Sequence, residues 1–197
     1  MKMTESLFRQ VLLDLIDENP IACSALLSIA KVEFTREVPT LAVTLEEHPV
    51  LKVNPDFCAR HLHTETDAQS VILHEFLHVL LNHTERFKRM DPGLNLALDA
   101  VINHIIQRSC GEAYGDFFRR YYARASGMAA LLVPLRKNAL YGYLSDHFED
   151  WNEYHELKSS LMTGRVVVDD VLDVVREVEK RKWSLPRSRV FIGGHEP

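Results

Sequence analysis

Cysteine is scarce in this chain: 3 of 197 residues, Cys23, Cys58 and Cys110. They are too few and too scattered for a disulfide framework. No pair has CxxC spacing, which argues against a cysteine-built zinc site. Long apolar runs are missing as well. Nothing approaches the roughly 20 residues that a bilayer-spanning helix needs. The opening stretch, MKMTESLFRQVLLDLIDENP, breaks its apolar positions with charges every few residues. It reads as an amphipathic helix, not as the unbroken apolar centre of a secretion signal. Positive charge is in deficit, with 23 Lys and Arg against 28 Asp and Glu and a formal net charge of −5. That balance argues against general nucleic-acid binding. No internal repeat and no low-complexity linker is visible. Together these absences predict a cytoplasmic protein in a reducing setting, with no membrane partner.

What is present is ordinary for a folded domain: 46% apolar and 26% charged residues. The length allows one domain with a real core and an appendage. Leu7, Phe8, Val11, Leu12 and Leu15 share one face of a first helix that Asn19-Pro20 should stop. Pro20 suits the first position of a second helix, PIACSALLSIA. The Val- and Thr-rich stretch that follows is broken by Pro39, Pro49 and Pro55. It predicts two or three short strands, with Leu41–Thr44 and Leu51–Val53 paired across a turn at Glu46–Pro49. NPDFCARHL predicts a short helical turn. A long helix should begin at Thr66 as N-cap, with Gln69 completing a capping box, and run to about Asn82. Another helix follows after Pro92-Gly93 and ends at Gly111. Beyond it, DDVLDVVREVEKRKW predicts a helix, and SLPRSRVFIGGHEP a tail. The fold class expected is α+β, with a small mixed or antiparallel sheet.

HEFLH, at positions 74–78, is the stretch that carries chemistry. Each helical residue turns about 100°, so His74 and His78 lie one turn apart on one face. Two imidazoles at that separation can reach one ion. Glu75 adjoins them. A zinc-bound water has its pKa pulled down to roughly 7. A carboxylate beside that water can take its proton, and later pass it to a leaving amine. The flanking residues, VILHEFLHVLL, are apolar nearly all round, which predicts a buried helix. Burying two imidazoles and a carboxylate is costly unless something satisfies them. A metal would do so. The plainer account makes His74 and His78 core histidines bonded to backbone, with Glu75 reaching solvent.

A catalytic site of this kind needs a third protein ligand. His83 is near, but a continuous helix turns it about 140° away from the pair. It could bind only if the helix ended first. Asp99 is better placed, on the next predicted helix with 20 residues between it and His78. An antiparallel return after Pro92-Gly93 would bring it back. Its alternative is an exposed helix carboxylate, which the apolar Leu96, Leu98, Val101 and Ile102 oppose. Asn103, one turn further on, could hydrogen-bond the outer nitrogen of a ligand histidine and orient it. His104 is rotated off that face and is read as structural. Two imidazoles and a carboxylate suit zinc and other divalent ions.

This arrangement resembles the zincin metallopeptidases, and in its spacing the gluzincin branch. There HExxH is followed about twenty residues on by an acidic helical ligand, with a polar partner four positions later. Here the acid is Asp99 rather than Glu, and the polar partner Asn103 rather than Asp. VPTLAVT, LKVNPDF, VILHEFLHVLLNHTERF and LNLALDAVINHII also follow in order the pattern of the bacterial putative metallopeptidase family often linked to a von Willebrand factor A-like domain. That likeness spans roughly residues 38–108. A von Willebrand-like domain is not recognisable after residue 120. The resemblance implies a zincin-like core over roughly residues 20–110, within a domain of residues 1–120 that includes the N-terminal helices, and a mostly helical extension over 121–197. It implies zinc-dependent peptide-bond hydrolysis, with His74, His78 and Asp99 holding Zn2+ and Glu75 as general base. The partner would be a peptide or protein substrate. The alternative is a non-catalytic zinc-binding module of zincin fold that acts as a partner-binding component.

In zincins a strand beside the active-site helix pairs with extended substrate. Leu41–Thr44 or Leu51–Val53 would serve, unless the hairpin is purely structural. Tyr121, Tyr122, Tyr141, Tyr143 and His147 are open choices for stabilising an oxyanion. FFRRYYARAS interleaves aromatics with Arg119, Arg120 and Arg124, a pattern that can hold single strands. Helical packing with a basic outer face is the plainer account. His61 and His63 stand at alternate positions ahead of the helix, where they would cap it or face solvent. YGYLSDHFEDWNEYHE is a candidate cover for the cleft.

Overall fold

The computed structural model describes residues 2–20, 22, 29, 31–44, 49–83, 91–136 and 152–180. Most of PIACSALLSIA, the Glu46–Pro49 turn apart from Pro49, Tyr141, Tyr143, His147, most of the proposed cover and the C-terminal tail lie outside them. The fold is α+β, mostly helical with one small mixed sheet. Two compact units divide the chain at residues 90 and 91.

The first unit opens with α1 (Glu5–Glu18), capped by the Thr4 hydroxyl accepting from the Leu7 N–H. Phe8, Val11, Leu12 and Leu15 are its buried face, as their spacing predicts. Three strands follow: β1 (Lys31–Phe34), β2 (Leu41–Val43) and β3 (Val50–Val53). β2 pairs antiparallel with β3, with Leu41 opposite Val53, which is the predicted pairing. β1 pairs parallel with β3, so the order is β1-β3-β2 and β3 is the central strand. Leu51–Val53 therefore has both edges engaged and cannot take up a substrate strand. β2 stands at the edge. Asn54 then caps α2 (Pro55–His61), its Oδ1 accepting from the Asp56 and Phe57 N–H groups.

Helix α3 (Glu65–Leu80) carries HEFLH and packs against α1 and β2. Its start corrects the expectation of Thr66 with Gln69. The N-cap is Thr64, and the box is closed by Asp67. Asp67 Oδ2 accepts from the backbone of both His63 (2.9 Å) and Thr64 (3.1 Å). Asp serves as well as Glu in this role because the acceptor need only reach back three residues. All residues from Val71 to His78 are buried.

The second unit is built around α4 (Pro92–Cys110). Asp91 is its N-cap, accepting from the Leu94 N–H at 2.8 Å, so the helix starts at Pro92 rather than after Gly93. Gly111 ends it with φ of 104°, a left-handed angle that favours glycine. Around α4 pack α5 (Glu112–Tyr121), a 3₁₀ helix (Gly127–Leu132), α6 (Asn152–Thr163) and α7 (Val168–Lys180).

One feature of the second unit has no local sequence signature. Every backbone carbonyl from Ala130 to Leu135 accepts from a side chain. Lys158 Nζ donates to Ala130 (2.6 Å), Leu131 (3.4 Å) and Val133 (2.5 Å). Asn103 Nδ2 donates to Leu132 (2.9 Å) and Gln107 Nε2 to Leu135 (2.7 Å). Arg119 Nη1 donates to Pro134 (2.7 Å). A segment that leaves helical geometry loses its own backbone partners, and here side chains from three helices replace them.

Candidate metal centre

The first unit holds the histidine pair. His74 and His78 are buried on successive turns of α3, and their Nε2 atoms stand 3.1 Å apart. The rings are tilted by 59° with centroids 4.8 Å apart. Like nitrogens therefore converge on one point. Two lone pairs cannot face each other there, so a proton or a cation must lie between the rings. A tetrahedral ion with bonds of about 2.0–2.1 Å needs donors roughly 3.3 Å apart. The observed separation is within a few tenths of an ångström of that, so the donor pair fits a metal.

Glu75 is wholly buried, at 0% exposure. The account in which it reaches solvent does not hold. An acidic side chain in a buried helix, beside two converging imidazoles, is a feature that simple core packing would not select.

His83 is also buried, and the structure decides how it relates to the pair. Helix α3 ends at Leu80, and Asn82 adopts a left-handed φ of 56°. Asparagine tolerates that conformation better than most residues. The turn brings His83 back, so that its Nδ1 lies 3.3 Å from Nδ1 of His78. The rings meet edge to face, with centroids 5.2 Å apart and planes at 77°. His83 thus faces the far nitrogen of His78, not the side where His74 and His78 converge. It is not a third donor to an ion at that point.

The second unit carries the remaining candidates on α4. Asp99 is buried, at 2% exposure, so it is not an exposed helix carboxylate. Asn103 is buried and commits its Nδ2 to the Leu132 carbonyl, a partner that spacing did not reveal. His104 donates from Nδ1 to the Ala100 carbonyl at 2.7 Å, one turn back. Burial, and then the nearby Lys158, hold its pKa well below the usual histidine value. His104 is a neutral core residue.

The other sequence candidates divide by burial. Phe117, Phe118 and Tyr122 are core residues and have no face open for stacking bases. Arg119 is tied to Asp116 (Nη2, 2.7 Å) as well as to Pro134, and it also bonds Gln107. The stretch FFRRYY is thus largely packing. Cys58 is buried and its thiol is pushed up to about 12 by desolvation, so it stays a neutral thiol rather than a thiolate ligand. Among the described residues, no helix is long and apolar enough to cross a membrane.

A family model described as a "putative metallopeptidase domain" matches residues 5–111, more than half of the chain and with every candidate ligand inside. No curated protein and no solved structure matches the chain.

Proposed function

The chain belongs to the putative metallopeptidase domain family, and from that premise we propose that it is a zinc-dependent peptidase with His74, His78 and Asp99 as metal ligands and Glu75 as general base. The observation that carries the reading is the convergence of the His74 and His78 Nε2 atoms, 3.1 Å apart in a buried helix. His74 and His78 are buried on α3 of the first unit, and Asp99 is buried on α4 of the second. Two imidazoles and one carboxylate suit zinc and leave a coordination position open.

When bound, a divalent ion would polarise the scissile carbonyl and acidify an adjacent water. The chain's own groups do the rest. The two rings fix the donor geometry from a stretch of helix that cannot easily shift, because every residue from Val71 to His78 is buried. The Glu75 carboxylate takes the proton of the attacking water and returns it to the leaving nitrogen. Its burial removes competing solvent, which strengthens its electrostatic effect on the reacting groups. Strand β2 supplies the edge for an extended substrate, since it borders the sheet and packs on α3. The amide oxygen of Asn103 serves as acceptor for a ligand ring.

The experiment is to load the purified chain with zinc and compare it with Glu75→Gln on a mixed peptide library read by mass spectrometry. The variant should keep its zinc and lose cleavage by roughly 10²–10⁴-fold. A zinc-binding module without catalysis predicts no cleavage by either protein, and that result would refute the peptidase reading. Equal cleavage by both proteins would remove Glu75 as base.

A further inference from the structure

We infer that His83 is the positioning residue of the metal site: its Nδ1 accepts the Nδ1 proton of His78 and so holds His78 in the tautomer whose Nε2 lone pair is free for metal. The inference rests on the metal-binding reading above and deepens it.

A neutral imidazole carries one proton, on either Nδ1 or Nε2. Nε2 of His78 is the atom that converges with Nε2 of His74. If Nε2 is to donate its lone pair to an ion, the proton must sit on Nδ1. That proton is buried, because His78 is only 1% exposed. A buried N–H costs roughly 1–3 kcal/mol when it lacks an acceptor. Nδ1 of His83 lies 3.3 Å away. It can accept only in its own Nε2–H form. Each ring thereby fixes the tautomer of the next.

Local backbone makes this placement possible. On a continuous helix His83 would point about 140° away from His78. The left-handed φ of 56° at Asn82 ends the helix and turns the chain back. The edge-to-face packing of the two rings then restricts His78 from rotating about its own axis. Ring orientation and tautomer are both set by one neighbour, and such outer partners of metal-bound histidines typically contribute 10–100-fold to metal affinity.

The test uses the full chain with zinc as the probe. His83→Leu removes the acceptor; His83→Gln restores one through its amide oxygen. Zinc affinity, measured by competition with a chromophoric chelator, should fall 10–100-fold in His83→Leu and recover to within a few-fold of wild type in His83→Gln. Nitrogen-15 NMR of zinc-loaded wild type should show His78 protonated at Nδ1 and metal-bound at Nε2. This second measurement needs no variant to fold. Unchanged affinity in His83→Leu, equal loss in both variants, or metal found on Nδ1 of His78 would each overturn the inference while leaving zinc binding intact. Absence of zinc binding by wild type would instead overturn the metal-site reading, and this inference with it.

Discussion

Replacing Lys158 by Met tests the carbonyl segment that organises the second unit. The side chain is wholly buried, and Nζ donates to the carbonyls of Ala130, Leu131 and Val133. Met keeps most of the apolar stem and deletes the donor. Ala130 O still accepts from the Val133 N–H at 3.3 Å, so it is not orphaned. Leu131 O and Val133 O lose the bonds that Lys158 gives them. At roughly 1–3 kcal/mol for each buried group left unsatisfied, the gross loss is about 2–6 kcal/mol. Against this, burial pushes the lysine pKa well below its usual value, so the native state bears a desolvation cost that Met relieves. The three carbonyl dipoles offset part of that cost by stabilising the ammonium. The net expectation is destabilisation by about 2–4 kcal/mol. For a chain of this size each kcal/mol moves Tm by roughly 2–4 °C, so a fall of about 4–16 °C should appear in a thermal scan. The assay is urea unfolding at pH 7.5, followed by tryptophan fluorescence, with the thermal scan as a check. A Met variant as stable as wild type, or more so, would refute the reasoning: the ammonium would then be a net burden and the carbonyls indifferent to it.

His74→Ala should abolish thermal stabilisation by zinc. At free zinc 100-fold above Kd, binding adds about 2.7 kcal/mol, so wild-type Tm should rise by roughly 5–11 °C. The variant should show no rise, whatever its own starting stability, and a full rise would remove His74 from the ligand set. Acidification should act through His104. Its native pKa lies well below the unfolded 6.5, so below pH 6.5 the unfolded chain takes up a proton that the native chain refuses. The stability that His104 contributes is present above pH 6.5 and is lost as pH falls toward its native pKa, at about 1.4 kcal/mol per pH unit. His104→Gln should therefore flatten the drop in urea midpoint between pH 7.5 and 5.5, and equal drops in both proteins would contradict the assignment.

Much of the first unit could be read from neighbouring residues. The apolar spacing of α1, the β2–β3 pair, the Asn54-Pro55 helix start and the helix carrying HEFLH all follow from patterns within a few positions. The true start of α3 is also set locally. Two threonines stand close together there, and only the one whose box was closed by Asp67 caps the helix. On a helix the pairing of His74 with His78 is fixed by periodicity alone, so no tertiary contact was needed to foresee it.

Other features depend on residues far apart. The parallel β1–β3 pairing leaves no alternation that marks it as parallel. The bonds from Asn103, Gln107 and Lys158 to carbonyls 130–135 span 25 to 29 residues, a distance at which no residue pattern records a partner. His83 is intermediate. Its return to His78 hangs on one backbone angle at Asn82, and asparagine permits a left-handed turn without requiring it. Which donors stand on one helical face follows from their spacing alone, because an α-helix always turns once in 3.6 residues. The apolar flanks foretell burial around positions 75 and 99, but its completeness, and the nitrogen of His78 that meets His83, come from packing between distant segments. Burial and ring orientation are set by everything packed around a side chain, and that is not a function of its near neighbours in sequence.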